Sequence, residues 1–273
     1  MIQTARVGMK HVLSVKFLWL DRPLADRARL AASHGFDGIE LWDWRDEDVD
    51  GCASACREAG IELTAFFGHS YGGLADPDQA EELEAALAES IGVAKRVGAR
   101  QLFMFSDELG PAGEMRRKPS TLVDARRTRA MVEGLRRCAR MVEGTHLELV
   151  VEAINSLSVP GYFLSDPSLA INLCREVDHP QVRLVFDCFH HQMTAGRLID
   201  HLVEALPYTT AVHVADVPDR RPPGLGEIDY SALLRTLTEH HFAGHLTFEV
   251  VPPGGDSEAA VAAIKRTFPI DAH

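Results

Sequence analysis

The sequence lacks the long apolar runs of a membrane protein. No stretch of its 273 residues approaches the roughly 20 uncharged apolar residues that a transmembrane helix needs. Its start, MIQTARVGMKH, also lacks the basic-then-apolar order of a secretory signal. We therefore expect a soluble, cytoplasmic protein without membrane contact. Because 46% of the residues are hydrophobic and no Pro-rich linker divides the chain, we expect one domain over residues 1–273.

Cysteine and basic residues are also scarce. The five cysteines are odd in number and form no CxxC pair, which argues against a disulfide framework or a structural zinc knot. We expect them to be reduced packing residues. Lys and Arg total 28 against 40 Asp and Glu, a formal charge of −12, whereas binding to phosphate backbones depends on basic patches. The composition therefore disfavours a nucleic-acid partner and favours a small neutral or modestly anionic molecule.

Short apolar runs alternate with longer amphipathic ones along the whole chain, the pattern of βα units around a buried parallel sheet. The segments LADRARLAASHG and AEELEAALAESIGVAKRVGA predict helices, each with a Gly after its last apolar turn as a C-cap would have. Eight strands are predicted, over residues 11–19, 38–42, 62–67, 101–105, 147–154, 182–188, 210–216 and 245–251.

This repeat predicts an α/β fold, a single (β/α)8 TIM barrel. Eight units would take about 34 residues each, close to the usual value for that barrel. A doubly wound sheet would usually need fewer strands, and no GxGxxG turn follows the first strand. The longest polar break, residues 106–121, follows the fourth strand, where loops of that length often help to cover an active site.

Four ionisable residues lie near the ends of the last four predicted strands: Glu152, Asp187, His213 and Glu249, at separations of 35, 26 and 36 residues. Any one of them alone fits a buried polar network equally well, because a buried ionisable group must be paired or bound to a metal. Together they predict a shared site at the C-terminal end of the barrel. Three carboxylates and an imidazole suit one octahedral divalent ion, Mn²⁺ or Mg²⁺, with Co²⁺ or Zn²⁺ as further options.

Residues near the sixth and seventh strand ends are candidates for binding substrate. His190, three residues after Asp187, could hydrogen-bond a substrate oxygen or cap the next helix. His191 beside it is expected at the surface or behind the site. Arg220 or Arg221 could hold a terminal carboxylate or phosphate through a bidentate contact, although solvated loop arginines are common.

The sequence offers three further candidate site residues. His69 follows the third strand and could line the pocket. Glu40, in the second strand, could line it too or be structural. Glu227 could orient the loop after the seventh strand or merely precede a helix that begins near Asp229.

The segments VEAINSLSVPGYFLSD, FDCFHHQMTAGRL and HVADVPDRRPPGLGEIDY carry a family resemblance. They resemble the xylose isomerase-like TIM-barrel superfamily of sugar isomerases and epimerases, and within it the group of hydroxypyruvate and 2-oxo-tetronate isomerases. The resemblance implies that Glu152 and Glu249 are both metal ligands and the acid/base pair, that Asp187 and His213 are ligands only, and that His190 contacts the substrate. Barrels of this superfamily are often dimers or tetramers, so a homo-oligomer stays open.

The resemblance implies a proton transfer next to a carbonyl: a metal-dependent isomerase of a small hydroxycarbonyl acid or sugar, working through an enediolate. The position of His213 is commonly Gln in the hydroxypyruvate isomerase group and His in ketose epimerases. Ser156 and Ser158 stand where the group often has Arg and an acidic residue. The alternative is therefore a ketose 3-epimerase, or an inositol-pathway isomerase or dehydratase, on the same site.

Two other functions fit the sequence less well. A multi-zinc endonuclease on this barrel would need further His and Asp ligands and a basic face, which the acidic composition opposes. A sensor that only binds a sugar acid would have no use for an acid/base pair.

Overall fold

A closed barrel of eight parallel strands forms the centre of the protein in the computed structural model, which describes residues 8–270. Each strand pairs with its neighbours in chain order, and the eighth closes onto the first. The predicted (β/α)8 TIM barrel is confirmed. The strands are β1 Lys10–Ser14, β2 Gly38–Glu40, β3 Glu62–Phe67, β4 Gln101–Met104, β5 Glu148–Glu152, β6 Val182–Asp187, β7 Thr209–Val214 and β8 His245–Phe248.

Helices connect and surround the strands. None of the helices within residues 8–270 is both long and apolar enough to span a bilayer. Short 3₁₀ turns lie at Pro77–Gln79 and Pro253–Gly255. The α-helices of this part of the chain are α1 Leu24–Ser33, α2 Val49–Ala59, α3 Ala80–Val97, α4 Asp124–Val142, α5 Pro167–Val177, α6 Cys188–Thr194, α7 Leu198–Ala205, α8 Tyr230–Glu239 and α9 Ser257–Thr267.

Helix α3 illustrates how the sequence sets these elements. Leu83, Leu87 and Ile91 recur at helical spacing and are buried, so one face of the helix packs against the core. The helix ends at Val97 and is capped by Gly98, whose φ of 84° is the left-handed conformation typical of a C-cap glycine. The strands are buried on nearly every residue, as expected where helices cover a parallel sheet.

All the predicted strands except the third, which matches β3 over residues 62–67, are longer than the observed ones. The first was expected over residues 11–19, but β1 ends at Ser14, which pairs with Glu40 at the last position of that ladder. Beyond it, Trp19 has a φ of 50°, a left-handed conformation that does not continue a strand. Val15 and Leu18 are nevertheless buried. The apolar run over residues 11–19 therefore correctly indicated burial in the core, but the strand predicted from it is longer than the paired strand.

All five cysteines are free and buried, as expected for packing residues.

Candidate functional site

The four predicted ligands converge at the C-terminal end of the barrel. Glu152 and Asp187 are the last residues of β5 and β6, and His213 pairs with Asp187 across the β6–β7 ladder. Glu249 directly follows β8. All four are buried, with between 0% and 6% of their surface exposed. Their closeness follows from the barrel, which brings the carboxyl ends of all strands to one face.

A cavity of about 150 Å³ lies against three of these residues, Glu152, His213 and Glu249. Its charged floor contains Glu40, Glu152, His190, His213, Arg220 and Glu249. Its walls are largely aromatic, with Phe17, Trp42, Phe67, Phe103 and Phe105. Leu109, Ala112 and Gly113, from the long polar break after β4, also line it. The cavity therefore combines a few converging polar groups with an apolar enclosure, as small-molecule sites usually do.

The imidazole of His213 has two different environments on its two nitrogens. Nε2 lies 3.2 Å from Glu40 Oε2, a hydrogen-bonding distance. Nδ1 lies 3.6 Å from Glu249 Oε2 and 3.8 Å from Asp187 Oδ2, too far for hydrogen bonds. Burial acts to lower the pKa of His213, but the carboxylates of Glu40 and Glu249 outweigh it, so this pKa is well above its usual value. The surroundings therefore favour positive charge at this ring.

Arg220 reaches into the same carboxylate cluster from the loop after β7. Its Nη2 donates to Asp187 Oδ2 at 2.9 Å and also to Glu249 Oε2. The guanidinium lies over the ring of Phe189, 4.9 Å from its centroid. Burial of Arg220 is offset by the two carboxylates, and its pKa lies above the ordinary value.

The loop that carries Arg220 is held by Asp216. The two carboxylate oxygens of Asp216 accept backbone N–H groups from Val217, Gly224, Gly226 and Ile228 at distances of 2.9 to 3.1 Å. A carboxylate that accepts several backbone N–H bonds restrains the loop that supplies them. Arg220 therefore reaches the cavity from a loop whose backbone is held by the buried side chain of Asp216.

The two glutamates differ in their electrostatic surroundings. Burial, reinforced by the Asp187 and Glu249 carboxylates, raises the pKa of Glu152 to about 8. Burial also acts to raise the pKa of Glu249, but Arg220 and His213 outweigh it, and that pKa lies well below its usual range. The two carboxyl groups thus have pKa values pushed apart, a pattern that recurs where one group holds a proton and another does not.

His190 lies in the first turn of α6, where its backbone N–H donates to Asp187 Oδ1 at 2.9 Å. The backbone N–H of Asn155 donates to His190 Nδ1 at 3.3 Å, and the Asn155 side chain lies 2.6 Å from the same atom. Burial lowers the pKa of His190 to about 4, so the ring is neutral near pH 7. Its Nε2 lies 3.3 Å from Arg220 Nη1 and 3.8 Å from Glu152 Oε1.

The donor chemistry of the site fits a divalent cation. Ligand atoms of Asp187, His213 and Glu249 lie within 4.8 Å of one another, and so do those of Glu152, Asp187 and His190. The two groups overlap at Asp187. The partner-free Nδ1 of His213 and the cationic Nη2 of Arg220 both lie against the carboxylate oxygens, so positive charge is stabilised where a metal would be held.

Three other candidates from the sequence, His69, Glu227 and Arg221, do not line the cavity. His69 is buried beside it and accepts the backbone N–H of Phe105 through Nε2 at 2.9 Å, so its part in substrate binding stays a prediction. Glu227 is exposed and borders a surface depression near Arg197 and Asp229. Arg221 is exposed and pairs with Asp219.

His191 was expected either at the surface or behind the site, and its complete burial excludes the surface. Its Nδ1 lies 2.8 Å from the backbone oxygen of Asp187, behind the site.

Three residues of the site were not predicted. Trp42 donates its indole N–H to Glu249 Oε1, Asn155 orients His190, and Asp216 holds the loop of Arg220. The strings VEAIN and HVADVP contain the last two beside Glu152 and His213, and this adjacency was the signal available. Trp42 is the last residue of the second predicted strand, residues 38–42, and nothing in that apolar run indicated a contact with Glu249.

The family described as "Xylose isomerase-like TIM barrel" matches residues 28–267. A putative hydroxypyruvate isomerase of Danio rerio is 27% identical, covering 94% of this chain and 95% of the relative. A 2-oxo-tetronate isomerase of Pectobacterium atrosepticum is 22% identical, and the match covers 90% of this chain and 93% of that relative.

Among solved structures, the crystal structure of an AP endonuclease, family 2, from Brucella melitensis is similar, with a TM-score of 0.84 and 23% identity. The match covers 93% of this chain and 97% of that one. At this identity the likeness concerns the fold alone.

Proposed function

The chain belongs to the xylose isomerase-like TIM barrel family, and from this premise we propose that it is a divalent-metal-dependent isomerase of a small hydroxycarbonyl acid or sugar. The observation that carries the proposal is the set of donors at the ends of β6, β7 and β8, where Asp187, His213 and Glu249 face one another. Relatives that match nearly the whole chain are named as isomerases of hydroxypyruvate and 2-oxo-tetronate. Both are small hydroxycarbonyl acids.

Asp187, His213 and Glu249 would hold the ion, and Glu152, which adjoins Asp187, would be the fourth ligand. A bound ion of this kind supplies Lewis-acid polarisation of the substrate carbonyl. The oxygen-rich donor set favours Mn²⁺ or Mg²⁺, with Co²⁺ and Zn²⁺ as alternatives.

Glu152 and Glu249 would carry the proton steps. One takes the proton from the carbon next to the carbonyl, and the other returns a proton to the resulting enediolate of the substrate. The two residues belong to β5 and to the end of β8, three positions apart in the ring of eight strands. Return to the neighbouring carbon gives aldose–ketose isomerisation.

Arg220 and His190 would orient the substrate. A guanidinium recognises a carboxylate through two parallel N–H donors, and Arg220 already binds carboxylate oxygens at the cavity floor. His190, whose Nε2 lies near Arg220 and Glu152 at the cavity, would hydrogen-bond a substrate oxygen. The aromatic walls exclude water from the reacting carbon, which strengthens these electrostatic contacts.

A ketose 3-epimerase is the second candidate, favoured by the imidazole of His213 in the donor set. The same two glutamates would serve it, because return of the proton to the same carbon from the opposite face inverts that carbon. The difference lies in which carbon exchanges its proton with solvent.

A metal-supplemented activity screen over small hydroxycarbonyl acids and ketoses tests the proposal. NMR in D₂O would follow both isomerisation and deuterium uptake at C2 or C3. We expect turnover of a three- or four-carbon acid that is lost on chelation and restored by Mn²⁺ or Mg²⁺. Full activity of the metal-free protein would contradict the metal mechanism, and inversion with deuterium at C3 of a ketose would favour the epimerase.

A further inference from the structure

The carboxylate of Glu249 has different partners on its two oxygens. Oε2 contacts Arg220 and lies 3.6 Å from His213 Nδ1, on the side of the metal donors. Oε1 accepts the indole N–H of Trp42, which lies two residues beyond β2 and lines the cavity. The indole N–H therefore fixes the rotation of a carboxylate whose other oxygen is a metal donor.

The indole ring of Trp42 is held on several sides. Phe67 stacks on it with ring centroids 5.6 Å apart and an interplanar angle of 25°. Phe17 meets it edge-on at 5.5 Å. The ammonium of Lys16 lies 4.7 Å from its centroid, a cation–π distance. These contacts leave the ring little freedom to turn its N–H away from Glu249.

One of these contacts links the ring to the loop over the cavity. We call residues 109–115 the roof loop; Leu109 and Met115 form an antiparallel bridge at its base. Lys16 Nζ donates to the backbone oxygen of Pro111 at 2.6 Å while it lies over Trp42. The ammonium thus ties the roof loop to the indole.

The roof loop also touches the ring directly through Gly113. Its φ of 83° favours glycine, and a Cβ at this position would lie 3.1 and 3.2 Å from Cζ3 and Cη2 of Trp42. Such distances are shorter than ordinary van der Waals contact, so a side chain at residue 113 would push the indole or the loop aside. The glycine therefore lets the roof loop rest on the indole.

We propose that Trp42 is a positioning residue for Glu249 and that it couples the roof loop to this carboxylate. The inference rests on the proposed function, in which Glu249 is a metal ligand and an acid/base group. Contacts from Gly113 and Lys16 hold the ring, and the ring holds Oε1. Residues that hydrogen-bond to a metal ligand typically affect metal affinity or activity about 10- to 100-fold.

The test compares Trp42→Phe with Trp44→Phe. Phenylalanine keeps an aromatic ring at residue 42 but removes the N–H donor to Glu249. Trp44 is the matched control, because its indole N–H donates to Ser90 Oγ at 2.9 Å and it does not line the cavity. We expect Trp42→Phe to weaken Mn²⁺ binding, measured by titration calorimetry, about tenfold or more. Trp44→Phe should stay within about twofold.

Gly113→Ala tests the coupling to the roof loop in a chain that keeps the indole N–H donor of Trp42. Gly144→Ala is its control, because Gly144 also has a left-handed φ, 73°, but no atom within 4 Å of an added Cβ. We expect Gly113→Ala alone to weaken Mn²⁺ binding about threefold or more. In the double variant with Trp42→Phe its additional effect should largely disappear, because both changes act through the same N–H.

The outcomes separate this inference from the proposed function. A wild-type chain that binds no divalent ion would overturn the proposed function, and with it this inference. Wild-type Mn²⁺ affinity in folded Trp42→Phe would overturn the positioning role alone. Fully additive effects in the double variant would overturn the coupling. If Trp42→Phe does not fold, wild-type affinity in Gly113→Ala would count against the coupling.

Discussion

His213 Nε2 lies 3.2 Å from Glu40 Oε2, while Nδ1 of the same ring faces Asp187 and Glu249. Glu40 has only 1% of its surface exposed, at the end of β2. A carboxylate that binds the far nitrogen of a metal-binding histidine fixes its tautomer and the orientation of its ring. Glu40 is therefore expected to support metal binding through His213.

We predict that Glu40→Gln weakens Mn²⁺ binding about 10- to 100-fold, because an amide holds the His213 tautomer less firmly than a carboxylate. Titration calorimetry measures this directly. Glu62→Gln is the control, since Glu62 begins β3 at the other end of the barrel and pairs with Lys10 at 2.7 Å. Equal affinities of Glu40→Gln and wild type would show that Glu40 is only a structural partner.

Replacing either glutamate of the acid/base pair should abolish turnover. We predict that Glu152→Gln and Glu249→Gln each lower kcat at least about 100-fold, the range lost when a positioned acid or base is removed. Circular dichroism should show an intact barrel in both. Glu227→Gln, at an exposed position outside the cavity, should leave kcat unchanged. Turnover at the wild-type rate in either cavity variant would refute its assigned role.

Much of this site could be predicted from the positions of residues in the chain alone. The rest could not, for physical reasons. Buried parallel strands read as apolar runs, so the eight βα units and the ring from Glu152 to Glu249 could be placed from spacing. A strand-end position does not say where a side chain points. His69 therefore lies beside the cavity, bonded to the backbone of Phe105, although it follows β3 as predicted.

Polar contacts between residues far apart in the chain also could not be predicted from the sequence. The bond between Trp42 and Glu249 joins residues 207 positions apart, and no local pattern around a tryptophan in an apolar run distinguishes it from a core residue. The same holds for Glu40, whose partner His213 lies five strands further along the barrel.

The neighbouring arginines Arg220 and Arg221 should respond differently to substitution. Arg220 donates to carboxylate oxygens of Asp187 and Glu249, two of the predicted metal ligands, whereas Arg221 is exposed. Without Arg220 the metal-free protein would bury uncompensated carboxylates, a change that typically costs about 3 kcal/mol or more. We predict that Arg220→Gln lowers the Tm of metal-free protein and that added Mn²⁺ raises the Tm more than in wild type.

The same variant should bind substrate less tightly. Loss of a charge-assisted hydrogen bond of about 1.5 to 3 kcal/mol corresponds to about a 10- to 100-fold rise in KM. Arg221→Gln is the matched control for both measurements and should behave as wild type. An unchanged Tm and KM in Arg220→Gln would mean that its contacts with Asp187 and Glu249 have no energetic consequence.

Acid should destabilise the protein partly through His69. Burial lowers the pKa of His69 to about 4, below the usual value near 6.5. Between about pH 6.5 and pH 4, His69 is therefore protonated in the unfolded chain but neutral in the folded chain. The free energy of unfolding falls as the pH falls through that window. The full shift corresponds to about 3 kcal/mol.

Unfolding by urea at pH 7 and at pH 4.5 measures this contribution. In His69→Gln, whose amide oxygen can still accept the Phe105 N–H, the loss of unfolding free energy between the two pH values should be about 2 to 3 kcal/mol smaller than in wild type. His146→Gln, at an exposed position, is the control and should lose as much as wild type. If His69→Gln shows the same pH dependence as this control, protonation of His69 does not drive the acid instability, and its neutral ring is not required for the fold.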